Sequence, residues 1–273
     1  MDQLSAIPAW ATGLLTVWFL VGIAVYSYVV RRVAGGGGKV ITGDFKEPDL
    51  VLAIAFIAWV ILNIVGGIGQ PDHDVTQKEI VRGAATFLAM VALLMMFMGV
   101  RGINPVRQFG VTRINPFLCI ALGAGLVIAA HPLILMTEGL TDLAMHGHAQ
   151  PQNVVEFFLN ASQKSDFKAV AVMLVLAVIV APIAEETIFR GYLYAVLKRY
   201  IGGIWAGVIG AGLFAAMHMN LAALPALFVL ALCLTLAYEA TGSLLVNIFM
   251  HGLFNLSMLL AMLLYARHSP AAP

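Results

Sequence analysis

The sequence predicts an all-α, polytopic integral membrane protein of about eight transmembrane helices, on three observations. Its 273 residues are 61% hydrophobic and only 11% charged, against about 25% charged in an ordinary soluble domain. The apolar residues gather into runs near the ~20 needed to cross about 30 Å of hydrocarbon. The cations concentrate in the connections, and more of them on alternate connections. The net charge of +1 is uninformative about partners, no basic face suggests nucleic acid, and none is expected as a partner. Cys119 and Cys233 both lie in apolar runs. There they behave as small hydrophobes, and they form neither a disulfide framework nor a CxxC ligand pair.

The first run, Ala9–Val30, follows no cation and exceeds the roughly 7–15 apolar residues of a signal-peptide core. It is expected to stay as a membrane helix. Gly35–Gly38 is then a flexible link. The second run, Leu50–Ile68, carries Asn63, expected to bond a neighbouring helix. The third is Ile80–Val100, and turns at Asn104-Pro105 and Asn115-Pro116 lead into the fourth, Phe117–Met136. His131, just before Pro132, is expected to be a bystander.

The connection Glu138–Phe167 is the longest. Its stretch Val154–Leu159 is expected as a plain surface helix at the membrane interface, in preference to a lid. His146 and His148 in that connection lack the register of a metal pair. Asn160-Ala161-Ser162 is a weak glycosylation sequon.

The remaining runs are Lys168–Leu197, Gly203–His218, Ala222–Tyr238 and Leu244–Ala266. The sixth and seventh are short enough to be tilted or partly re-entrant. Gly203, Gly207, Ala211 and Ala215 recur every fourth residue, a small-residue face for close helix packing. The chain divides into residues 1–167, helices one to four with the long loop, and residues 168–266, the core that carries the chemistry. No internal repeat is evident, which counts against transporter folds built from paired halves.

Lys and Arg placement orients the chain. Nine cations (Arg31, Arg32, Lys39, Lys46, Arg101, Arg107, Arg113, Lys198, Arg199) fall on one side and five (Lys78, Arg82, Lys164, Lys168, Arg267) on the other. The richer side is read as cytoplasmic, which puts both termini outside the cytoplasm. A bacterial or archaeal plasma membrane is the expected location.

The fifth run contains Glu185-Glu186-Thr187-Ile188-Phe189-Arg190. Charge at the centre of a membrane helix costs roughly 2.5–3.5 kcal/mol per residue on insertion scales, so such residues mark function by default. Residues four apart share a helix face. Glu186 and Arg190 are therefore expected to form a supporting ion pair, leaving Glu185 as the free carboxylate and general base. Pro182 is expected to kink the helix one turn earlier. The sixth run aligns Phe214 with His218, and the eighth aligns His251 with Asn255. At 1.5 Å per residue, Glu185 lies roughly 20 Å along its helix from Arg199, His218 about 22 Å from Gly203, and His251 about 15 Å from Thr241. All three counts start from the same side, so the groups can meet in one layer of the bilayer.

These residues resemble a known family. Glu185-Glu186-x-x-x-Arg190, Phe214-x-x-x-His218 and His251-x-x-x-Asn255 are similar to the three motifs of the CAAX-protease and bacteriocin-processing (CPBP, abortive-infection) family, which includes the type II CAAX prenyl endopeptidases. The turn Tyr238–Leu244 resembles the family's approach to its last motif. The resemblance covers about Lys168 to Ala266 and implies intramembrane endopeptidase activity on a membrane-associated or lipidated peptide or protein. It implies that Glu185 with His218 activates a water, that His251 with Asn255 holds the oxyanion, and that Glu186 and Arg190 support them. A zinc-dependent version of the family's chemistry would use Glu185 or Glu186, His218 and His251 as ligands. The metal-free version, with no cofactor, is favoured, because no HExxH pair occurs and a water on a glutamate needs no metal. The competing classes are a non-catalytic membrane scaffold or immunity-type partner, and an ion-coupled transporter that relays charge through buried Glu and His.

Overall fold

The computed structural model describes residues 8–68, 75–148 and 152–268. Among them helix is the only regular structure. In chain order the helices are α1 (Ala9–Gly36), α2 (Glu47–Gly67), α3 (Gln77–Val100), the single turn α4 (Pro105–Gln108), α5 (Pro116–Ala144) and α6 (Asn153–Gln163). The long helix α7 (Phe167–Ile201) follows, then α8 (Gly203–Met217), α9 (Leu224–Thr241) and α10 (Leu244–His268). Seven of these are long and apolar enough to cross a membrane. The 15-residue α8 rises only about 22 Å. The expectation of an all-α membrane protein of about eight spans holds.

Each boundary has a local cause. Thr76 accepts a bond from the Glu79 N–H at 3.3 Å while the Glu79 carboxylate accepts from the Thr76 N–H at 2.8 Å, a capping box that starts α3. Asn115 caps α5 with Pro116 at its first position, and Asp166 caps α7 through the Ala169 N–H. Gly242, at φ 68°, closes α9 in the left-handed region that glycine tolerates, and α10 begins two residues later.

The outer surface is apolar. Leu14, Leu20, Ile54, Leu62 and Leu93 are all exposed, as suits helices facing lipid. The interior is built on close approaches between helices. A Cβ at Gly123 of α5 would come within 2.9 Å of the Met250 backbone nitrogen in α10, so those two helices meet backbone to backbone. The small-residue face of α8 packs inward as expected, with Gly207, Ala211 and Ala215 buried.

Two polar clusters fix the ends of the bundle on the side of the α7 C-terminus. Asp49, fully buried, accepts bonds from the Lys46 N–H, the Tyr192 hydroxyl and Arg101. Glu239 of α9 gathers more: the Lys39 N–H donates to its carbonyl, and the Val40 N–H, the Tyr194 hydroxyl and Lys198 donate to its carboxylate. Gly35 and Gly36, expected in a flexible link, instead extend α1, and what remains of the link is clamped at Lys39 and Val40 to the seventh span.

Two interior prolines remove backbone donors, and both losses are repaired by side chains. Pro132 leaves the Ile128 carbonyl without its helical partner, and the Trp18 indole N–H donates to it at 2.8 Å. The repair at Pro182 belongs to the site. Asn63, expected to reach a neighbouring helix, instead donates to the Trp59 carbonyl four residues back in its own helix.

Candidate active site

Around Pro182 the backbone of α7 departs from α-helical register. Leu176–Val180 and Glu186–Tyr194 are π-helical, with a short α-helical stretch between them. The Ala181 N–H bonds back five residues to Leu176. In that register the Ala177 carbonyl would take its hydrogen from residue 182, which as a proline has none. Asn255 of α10 supplies it, with Nδ2 2.8 Å from the Ala177 oxygen. The expected kink is thus a change of register, and stretches of this kind are frequent at functional sites. Gly252 lets α10 come this close: a Cβ there would stand 2.5 Å from the Val178 carbonyl oxygen.

The widened register turns the adjacent acids to different surroundings. Glu186 is fully buried. Its Oε1 accepts from Arg190 Nη1 at 2.8 Å and from His251 Nδ1 at 2.9 Å, and its Oε2 accepts from Asn247 Nδ2 at 3.2 Å. The expected Glu186–Arg190 pair is present. The guanidinium carbon also lies 4.4 Å from the centre of the Phe214 ring, where cation–π attraction steadies it. Glu185 keeps 17% of its side chain exposed, and its carboxylate lies 3.9 Å from His251 Nε2.

The imidazoles are oriented by groups that can only accept. His218, the residue that closes α8, places Nδ1 2.8 Å from the Phe214 carbonyl. A carbonyl has no hydrogen to give, so Nδ1 carries the proton and Nε2 is left with a lone pair. His251 Nδ1 is committed to the Glu186 carboxylate in the same way, leaving Nε2 toward Glu185. Phe214 separates the two rings, with centroids 4.9 Å from His218 and 5.9 Å from His251.

Glu185, His218, His251 and Asn255 all line one cavity of about 800 Å³, whose remaining wall is mainly apolar. Sequence reasoning missed Asn247. It is fully buried, bonds the Leu234 carbonyl at 2.8 Å as well as Glu186, and lies four residues before His251. That spacing was the available signal. Gln152, Val154 and Val155, at the start of α6, also line the cavity, and Phe158 is buried. The helix expected to lie plainly on the surface is therefore part of the cavity wall. His131 bonds the Val127 carbonyl and Ser257, and it stacks on Trp18, consistent with a bystander. Among the described residues no group of three or more His, Cys, Asp or Glu side chains is arranged to hold a metal ion.

Among known families, residues 167–257 match the model described as type II CAAX prenyl endopeptidase Rce1-like. Over these residues the chain is similar to that family. The matched segment covers a third of the chain and contains all three motifs, so the resemblance read from them holds. No curated protein and no solved structure matches. The match and the seven long apolar helices together make this a multi-pass membrane protein with a CAAX-protease-like segment.

Proposed function

We propose that the protein is an intramembrane endopeptidase that hydrolyses a peptide bond of a membrane-associated or lipidated peptide or protein. The observation that carries this reading is the shared cavity: Glu185, His218, His251 and Asn255, from three membrane helices, line the same space. The Rce1-like match over residues 167–257 supports the reaction class.

In this reading a water is held between the Glu185 carboxylate and the free Nε2 of His218. Its oxygen attacks the scissile carbonyl carbon while its proton passes to Glu185. The carbonyl electron pair moves onto oxygen, and the resulting oxyanion is met by the second amide hydrogen of Asn255 and by His251 as an imidazolium, its Nδ1–H held by Glu186 and its Nε2–H turned to the cavity. Collapse of the tetrahedral intermediate breaks the C–N bond, and Glu185 returns the proton to the leaving amine. Glu186, Arg190 and Asn247 do not touch the substrate; they orient His251.

The proposed chemistry is free of metal. Both Glu186 oxygens are occupied by donors from Arg190, His251 and Asn247, a poor starting point for a zinc ligand. Both termini are proposed to lie outside the cytoplasm, from the cation bias.

The test is cleavage by the purified protein in detergent or nanodiscs, compared with Glu185→Gln and His218→Ala. Cleavage by the parent that collapses in both variants is expected. Equal cleavage by all three removes Glu185 and His218 from the reaction, and no cleavage of any membrane-associated peptide favours a scaffold.

A further inference from the structure

At the end of α3 away from the reaction cavity lies a second cavity, of about 410 Å³, lined among others by Asp44, Lys46, Arg101, Asn104 and Arg107. Lys46 immediately precedes α2 and Arg101 immediately follows α3. The cavity is therefore level with the points where two membrane spans leave the hydrocarbon. Three cations and one acid line it, with Glu47 and the buried Asp49 next to them in sequence.

The three cations are committed to different degrees. Arg101 holds Asp49 through Nη2 at 3.1 Å, but its Nε is buried without a hydrogen-bond partner. Its guanidinium has donors to spare. Arg107 pairs with Asp44, yet its side chain is 68% exposed, and ion pairs this exposed are weak and readily exchanged. Lys46 makes no ion pair among the described residues. Beside the cations, Val100 and Val106 are exposed and offer apolar surface to an acyl chain.

The geometry points to a binding site here for a phosphate group, carried by an anionic lipid of the surrounding leaflet. A headgroup phosphate at this depth meets Lys46 and the spare donors of Arg101, and it can displace Asp44 from Arg107. Basic pockets at the membrane–water boundary between helices are suited to such headgroups. No residue of the reaction cavity lines this site, which is therefore independent of proteolysis.

The full chain would be reconstituted in nanodiscs of phosphatidylcholine with or without phosphatidylglycerol. Retained lipid would be counted by native mass spectrometry, and the thermal midpoint would be recorded. The expected result is selective retention of phosphatidylglycerol and a higher midpoint. Arg107→Gln and Lys46→Gln should each weaken retention by about fivefold, and Arg107, being exposed, can be replaced without disturbing the fold. A parallel arm adds sn-glycerol 3-phosphate to the phosphatidylcholine sample. Protection there, with no preference for phosphatidylglycerol, overturns the lipid as source and assigns a soluble phosphate. Equal retention of both lipids with no effect of glycerol phosphate overturns the site, as does a preference that survives both substitutions.

Discussion

His251 Nδ1 stands 2.9 Å from Glu186 Oε1, inside a fully buried cluster. This bond fixes one imidazole edge against the protein and leaves only the other for the cavity. It also separates the roles of two neighbouring acids: Glu186 holds the histidine, while Glu185, partly exposed, faces the cavity.

That separation predicts opposite phenotypes. Glu185→Gln should fold with a thermal midpoint near that of the parent and lose about 10²–10⁴ in turnover, the range for a general base. Glu186→Gln removes the counter-charge of buried Arg190 and should cost about 3–5 kcal/mol of stability. Midpoints in detergent and single-turnover cleavage measure the two effects. A Glu185→Gln protein less stable than Glu186→Gln would reverse the assignment.

Asn255 should show two separable losses. Asn255→Ala strands the Ala177 carbonyl, at about 1–3 kcal/mol, and as an oxyanion donor its removal should slow turnover by about 10²–10³. Pro182→Ala returns a backbone N–H to the helix. In the double variant the stability loss should shrink while the rate loss persists. A double-mutant cycle with no coupling in stability would refute the link between Pro182 and Asn255.

Gly252→Ala should destabilise by about 1–3 kcal/mol, because its new methyl group meets the Val178 carbonyl, a backbone atom with little freedom to retreat. The displaced α10 also carries His251, so turnover should fall along with the midpoint. An unchanged midpoint and rate would show that the two helices are not packed this closely.

Exhaustive treatment with a strong chelator should leave peptide cleavage at its untreated rate. Activity that disappears with the chelator and returns on adding zinc would overturn the metal-free mechanism.

The spans were readable because their length and composition are set by the bilayer, and the (i, i+4) spacing of Glu186 with Arg190 by the helix itself. Partner choice was less accessible. Nothing local to Asn63 distinguishes a bond to Trp59 in its own helix from one to a neighbour. Val154 and Val155 are equally apolar whether they face lipid or a cavity, so the place of α6 in the wall required the tertiary packing. Pro182 announced a disturbance, but its repair depends on Asn255, far along the chain. Asn247 was within reach of the same periodicity that found Asn255, since both lie four residues from His251.

The clamp on Glu239 has a consequence for biogenesis. Lys39 and Val40 emerge early in synthesis, yet the acceptors for their backbone N–H groups belong to α9, almost two hundred residues later. The ribosome must deliver the seventh crossing before the link behind the first can complete its hydrogen bonds. A nascent chain arrested after α8 would hold that link only through its carbonyls, Lys39 to Arg113 and Ile41 to Gln108, with the N–H groups of Lys39 and Val40 unpaired until α9 arrives.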